Sequence, residues 1–333
     1  MLNFFKKGLP DRYITLLLFA LILWLPVLTN ERQLFSVHHP FLNISYQITG
    51  IYSYLIYVLL FVLIIISSFT VNHLANESEF TGQQITLAMF FFLVLIFSFP
   101  GFTVSAPEII VNLIIIFIFG NLFKLSEASN QISLAFDSGF LLGLCSLVFF
   151  PLVFLLLLIW VAFLIHRANS WRNYLVSLLG LLTPYLFLVT WLFWTNQLAL
   201  PGFFNEKIFT VSFIWIEQTT WPEKIIFILI FVLTAISFTK ALTEQIEKNI
   251  VLRRNLMIVE YGIVIIFLVI LLYSRELSTG VFLTAPAAWL MAHATYTLKK
   301  TKWMNLILTS LIVLIIINSV LTLIRDNAPE WLQ

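Results

Sequence analysis

Long apolar runs, separated by short polar turns, repeat along this chain from Tyr13 to Ile324. They cover 13–29, 51–71, 84–100, 107–123, 138–150, 151–166, 174–195, 223–241, 256–273, 280–297 and 304–324. A bilayer crossing needs about 20 predominantly apolar residues. The pattern therefore predicts an all-α, polytopic transmembrane helix bundle of about eleven spans, with residues 1–333 forming a single integral-membrane domain.

The stretch 138–166 is the one place where the count is open. Pro151 lacks a backbone donor and disfavours helix at the residue before it, so the run divides there into two half-length helices. A single kinked or tilted span is the competing reading. Charge favours division. With the N-terminus in the cytoplasm and eleven alternating spans, the cytoplasmic side receives Lys6, Lys7, Arg12, Lys124, Arg167, Arg172, Lys240, Lys248, Arg253, Arg254, Lys299, Lys300 and Lys302. The outer side receives only Arg32, Lys207, Lys224, Arg275 and Arg325, a positive-inside bias that places the C-terminus in the periplasm. A merged span would send the Arg253-Arg254 and Lys299-Lys300 clusters outside.

Composition narrows the function classes. Of 333 residues, 61% are hydrophobic and 10% charged, whereas a soluble fold carries about 25% charged residues. The net charge of +2 is spread over a few basic turns, which argues against a nucleic-acid partner. Cys145 is the single cysteine and lies in an apolar run, which excludes an intrachain disulfide or a thiolate metal site and reads as a small buried hydrophobe. Lys6, Lys7 and Arg12 precede the first run as in a signal peptide, but 13–29 is long for that role and ends without a small-residue cleavage site, so it is read as the first span.

Polar residues between and within the runs are the candidates for chemistry. Three outer segments stand out: Asn30–Gly50 with Glu31, Arg32, His38 and His39; Asn196–Pro222 with Glu206, Lys207, Trp215, Glu217 and Trp221; and the Arg275-Glu276 turn. A carboxylate at a membrane surface beside aromatic rings and cations suits a general base, and the alternative is a wet loop anchored by interfacial Trp and Tyr. His38-His39 lacks a third ligand at a recognised metal spacing, and no metal is assigned. Glu260 lies two turns into a hydrophobic run, where an ionised carboxylate at mid-bilayer costs about 2.5–3.5 kcal/mol. Asp137 or Ser138 is expected to cap the helix that follows. Thr243–Arg254 reads as an amphipathic helix on the cytoplasmic surface, its cations facing anionic headgroups.

The run Asp137-Ser-Gly-Phe-Leu-Leu-Gly-Leu-Cys-Ser-Leu-Val-Phe-Phe-Pro151, with Ser170-Trp-Arg-Asn-Tyr174 and Leu179-Gly-Leu-Leu-Thr-Pro-Tyr185, resembles an uncharacterised family of multi-spanning inner-membrane proteins from Gram-negative bacteria. More distantly, Gly139-xxx-Gly143 before a proline and a basic turn, and Arg275 before a helix containing Pro286, resemble the C-type (GT-C) membrane glycosyltransferases. That resemblance implies a GT-C-like scaffold and sugar transfer from a polyprenyl-phosphate donor at the outer face. Glu31 after the first span would be base or metal ligand, and Arg275 would hold the lipid phosphate through its bidentate fork. Glu31 is followed by Arg32 where that pattern often has a second acid.

Three functions follow as expectations. The first is an inner-membrane protein assisting envelope or surface-glycan assembly without catalysis, its outer loops contacting a lipid or partner. The second is the polyprenyl-phosphate-sugar-dependent transferase. The third is a proton- or cation-coupled transporter using Glu260, a reading that a second buried acid facing Glu260 would favour. No cofactor is identifiable.

Overall fold

The computed structural model describes residues 10–25, 32–39, 42–49, 51–81, 85–99, 105–126, 130–196, 219–244, 249–273, 277–298 and 302–326. Within them are eleven α-helices: α1 (Pro10–Trp24), α2 (Ile51–Glu77), α3 (Leu87–Ile96), α4 (Ala106–Phe123), α5 (Gln131–Val148), α6 (Leu156–Ile165), α7 (Trp171–Trp194), α8 (Trp221–Glu244), α9 (Ile250–Tyr273), α10 (Thr284–Thr297) and α11 (Lys302–Asp326). Each corresponds to one apolar run of the sequence. A hairpin of β1 (Arg32–His39) and β2 (Leu42–Thr49) joins α1 to α2, its antiparallel register pairing Arg32 with Thr49 and His39 with Leu42. This hairpin is the one departure from an all-helical chain among the described residues, in a segment the sequence presents as loop.

Seven helices are long and apolar enough to cross a bilayer, and the protein is a membrane protein. The shorter helices α3 and α10 are explained by their surroundings. Every residue of α3 is buried, and α10 is buried from Thr284 to Thr295. A helix enclosed by other helices has its backbone bonds satisfied internally and need not match the hydrocarbon thickness. At 1.5 Å per residue the ten residues of α3 span only about 15 Å, so the full crossing expected over 84–100 is not a helix of that length. The outer helices instead present apolar side chains outward, as with Leu186, Phe187, Trp191 and Phe193 of α7.

The chain breaks at Pro151 as expected, but α5, with 18 residues from Gln131, is long enough to cross a bilayer and is not a half-length helix. Helix α5 ends at Val148, Phe149 is extended at φ −129° and ψ 95°, and a 3-10 segment, Phe150–Leu155, leads into α6. Helices α2 and α6 end in left-handed residues, Glu79 (φ 58°) and Arg167 (φ 59°). There the amides of Phe80 and Ala168 donate back to the carbonyls of Ala75 and Phe163, the six-to-one closure that satisfies otherwise orphaned helix-end carbonyls.

Two local expectations are corrected. Helix α5 begins at Gln131, earlier than the apolar run, and its cap is Asn130, whose side chain accepts from the Ser133 amide. Asp137 instead sits inside the helix, accepting from Ser133 Oγ one turn back at 3.4 Å. Within Thr243–Arg254 the described residues belong to longer helices and not to a separate surface helix: Thr243 and Glu244 end α8, and Arg253 and Arg254 lie in the first two turns of α9. Ile250, Val251 and Leu252 belong to α9, and residues 245–248 lie outside the described residues.

Helix ends gather on two opposite faces. At one, Asn72 of α2 donates to the Tyr13 hydroxyl of α1 at 3.5 Å, and Lys124 after α4 approaches Glu77 of α2 at 3.7 Å. At the same face Lys240 of α8 donates to the Ala294 carbonyl of α10 at 2.9 Å, and His293 of α10 bonds the Phe80 carbonyl at 2.8 Å. This is the basic end, and Arg254 of α9 meets His166 after α6 there. At the opposite end Trp24 of α1 packs on Phe97, Phe99 on Phe227 of α8, and Phe149 on Phe282.

Parallel helices α5 and α7 approach each other closely. A Cβ built on Gly139 would lie 2.0 Å from the Ser177 carbonyl oxygen, and one on Gly143 would lie 2.6 Å from that of Leu181. Gly180 reciprocates from α7, its Cβ position lying 2.4 Å from the Phe136 oxygen. The small-xxx-small spacing on α5 thus meets a glycine on α7, and backbone lies against backbone. Cys145 is buried on α5, its thiol 3.9 Å from the Val111 carbonyl of α4, in keeping with a small buried hydrophobe.

Candidate functional site

Among the described residues of the end opposite the basic one, a cluster of polar side chains lies at the start of α4. Pro107 occupies the first turn, where its missing N–H costs nothing, and Glu108 follows among the orphan amides that favour a carboxylate. Asn112 lies one turn further at i+4, so the two side chains share a face of α4. That face meets the 3-10 segment Leu277–Leu283 and the start of α10.

Two hydrogen bonds tie the faces together. Ser278 Oγ donates to Glu108 Oε1 at 3.2 Å, and Asn112 Nδ2 donates to Thr284 Oγ1 at 3.2 Å. The Thr284 hydroxyl in turn donates to the Val281 carbonyl at 2.6 Å, which leaves its oxygen to accept from Asn112. Ser278, Thr279 and Thr284 are buried, Asn112 is 1% exposed and Glu108 is half-buried. The Asn112 Oδ1 atom is buried without a hydrogen-bond partner. A buried acceptor left unmatched costs about 1–3 kcal/mol, so this oxygen is poised to receive a donor. Carboxylate, amide and hydroxyls one turn apart form a set that reads hydroxyl groups, and the carboxylate is also able to accept a proton.

The residues expected from sequence are placed less completely. Glu31 and Arg275 lie outside the described residues, as do Glu276 and the segment holding Glu206, Lys207, Trp215 and Glu217. The elements that follow Glu31 and Arg275 in the chain, β1 and the segment Leu277–Leu283, both lie beside α4. His38 and His39 are described as β1 backbone, and no group of three metal-ligating side chains occurs among the described residues. Trp221 is exposed at the start of α8, with the Lys224 ammonium 5.2 Å from its ring centre, the arrangement of an interfacial anchor.

Glu260 is 5% exposed in α9, within a buried helix face. Among the described residues it is the sole buried acid, so the second acid that would favour a proton-coupled site is not found beside it.

Glu108, Asn112, Ser278 and Thr284 were not singled out by the sequence. Glu108 follows a proline at the edge of an apolar run and looks like an ordinary helix start. Its signal was the i, i+4 pairing with Asn112 inside an otherwise apolar helix, which becomes meaningful only once 277–284 is known to lie opposite. No protein-family model, curated protein or solved structure matches the chain.

Proposed function

We propose that this is a bacterial inner-membrane protein of envelope or surface-glycan assembly, which holds a polyprenyl-phosphate-linked sugar at the end of the bundle built by α4 and the segment 277–284. The observation that carries this reading is the Glu108–Asn112 face, with its two bonds to Ser278 and Thr284 and the unmatched Asn112 oxygen. Such acceptors suit the hydroxyls of a sugar headgroup, while the apolar bundle surface suits the polyprenyl chain.

In this reading the basic end faces the cytoplasm and the α4 site opens to the periplasmic side, in accord with the positive-inside rule. Compartment-sensitive tags inserted at Lys300 and fused after Gln333 should report opposite sides, with the tail periplasmic. Both tags on one side would remove the orientation.

Binding is tested with the full-length protein in nanodiscs and a polyprenyl-phosphate-linked sugar, followed by ligand-dependent thermal stabilisation. Glu108→Gln replaces a charged acceptor by an amide and should weaken binding about tenfold, the effect of roughly 1.4 kcal/mol expected from a charge-assisted bond. Arg275→Ala should weaken it by about 1.5–3 kcal/mol if that guanidinium holds the phosphate, and Arg275→Lys should recover part, because an ammonium lacks the planar fork. Unchanged binding in Glu108→Gln would reduce the α4 face to a structural staple.

A transferase reading of the same end has one observation in its favour: Glu108 adds a half-buried carboxylate to Glu31, which is single in sequence. The same preparation, given an acceptor glycan, separates the two readings. Transfer lost in Glu31→Gln or Glu108→Gln with lipid binding retained by Glu31→Gln would make the protein catalytic. Binding without transfer in the wild type would make it a carrier or assembly factor.

A further inference from the structure

The basic end carries an electrostatic arrangement that calls for an anion. Helices α7 and α9 both begin there, and Arg172 and Arg253 sit in their first turns, where the helix dipole is already positive and cations are unfavourable, with Arg254 next along α9. Arg167 stands alongside, in the left-handed residue that closes α6. Among the described residues no carboxylate lies within ion-pair distance of these four guanidiniums; Glu77 is engaged by His73 and Lys124. Arg172 lies over the Trp171 ring, 5.9 Å from its centre.

Beside this charge are buried polar groups with unused capacity. His166 is 5% exposed and lies next to the half-buried Arg254. Its ring approaches the Leu122 carbonyl without closing a well-formed hydrogen bond at either nitrogen. Asn255, adjacent to Arg254 and 2% exposed, has an unpartnered Oδ1. Asn173 on α7, 1% exposed, spends its amide on the Ala168 carbonyl at 2.8 Å and also leaves Oδ1 unmatched. Burying these unmatched polar atoms is costly, since each forfeits about 1–3 kcal/mol. They come from α7, α9 and the end of α6, which packs between those two helices.

We infer that the basic end holds a binding site for a phosphate group bearing a free hydroxyl or P–OH donor, with Arg254 as its cation and His166 and Asn255 as its polar partners. The Arg254 guanidinium takes two phosphate oxygens in its fork, the His166 N–H donates to a third, and the Asn255 carbonyl accepts from the donor. This chemistry fits two sources: the glycerophosphate headgroup of an anionic lipid, and free inorganic phosphate. The site is distinct from the α4 face at the other end of the bundle and does not depend on the reading given to that face.

The test uses the full-length protein in neutral detergent, with thermal stabilisation titrated by three probes: short-chain phosphatidylglycerol, short-chain phosphatidylcholine and inorganic phosphate. Phosphatidylglycerol should stabilise the wild type and phosphatidylcholine should not, because it lacks both net charge and a hydroxyl. Arg254→Gln and His166→Phe should each weaken that stabilisation about tenfold. Arg172→Gln, an exposed cation at the same end, should leave it unchanged. Arg254 is half-exposed, so Arg254→Gln remains folded by gel filtration even if His166→Phe does not. Stabilisation by inorganic phosphate, lost in Arg254→Gln, assigns the site to free phosphate; stabilisation by the lipid alone assigns it to a headgroup. Equal response to phosphatidylcholine, no response to any probe, or equal losses in Arg172→Gln and Arg254→Gln would overturn the site in favour of a diffuse charged surface.

Discussion

Gly139→Ala should separate α5 from α7, although a single methyl is ordinarily the mildest change a helix accepts. In a lone helix alanine is favoured over glycine by about 1 kcal/mol. Here the added Cβ would stand 2.0 Å from the Ser177 carbonyl oxygen, and that oxygen belongs to a helix backbone with no rotamer to offer. The helices must move apart, and the loss of close packing should reverse the sign, destabilising the protein by about 1–3 kcal/mol, the usual range for overpacking. Gly139→Leu should exceed this. Gly120→Ala is the internal control: its Cβ meets the tip of the Leu74 side chain at 3.1 Å, which can give way. Thermal unfolding in detergent should show a lowered midpoint for Gly139→Ala and little change for Gly120→Ala. Equal, small effects at both positions would mean that the α5–α7 crossing is looser than described. Gly180→Ala should behave as Gly139→Ala does, since it faces the same contact from the other helix.

Trp289→Ala should be the most destabilising side-chain truncation in the bundle. Trp289 is fully buried in α10, its indole set among Phe80, Phe119 and Phe123 with ring centres 5.3 to 6.2 Å apart. Its Nε1 donates to the Val71 carbonyl of α2 at 2.9 Å. In a bilayer the transfer of apolar surface from water contributes little once the helices are inserted, so the loss falls on packing and on the hydrogen bond. A cavity left by Trp→Ala costs about 3–5 kcal/mol in soluble cores, and packing alone should bring the effect here near the lower part of that range. Trp289→Phe retains part of the volume and gives up the donor, isolating a smaller loss. The same residue reports on function, because α10 begins at Thr284, the partner of Asn112. If the α4 face holds a lipid-linked sugar as proposed, loosening α10 should weaken that binding in Trp289→Ala beyond what its lowered midpoint explains. Binding that follows global stability alone would uncouple the α10 core from the α4 face.

Residue order carried much of the architecture. Apolar run length specifies helices wherever a chain meets lipid, because every backbone polar group must then be satisfied within its own segment. That constraint is local, so eleven helices could be read from composition along the chain, including the break at Pro151, whose missing donor is a property of the residue itself. Gly139-xxx-Gly143 was legible as a packing motif for the same reason, and Cys145 as a small buried hydrophobe.

What depended on partners could not be read in this way. The sequence does not show that α3 and α10 are enclosed, because Leu87–Ile96 is as apolar as any lipid-facing run, and only the surrounding helices reveal why ten residues suffice. Glu108 and Thr284 are separated by about half of the chain. Their shared site exists because the segment 277–284 lies on α4, a relation set by side-chain packing between helices whose apolar faces look alike. His166, Asn173 and Asn255 likewise read as ordinary helix-end residues one by one. Tertiary structure turns them into a group, by burying them at one end of the bundle beside guanidiniums that no described carboxylate pairs. Hydrophobic patterning is a one-body property of each segment, whereas a site is a many-body property of which segments meet.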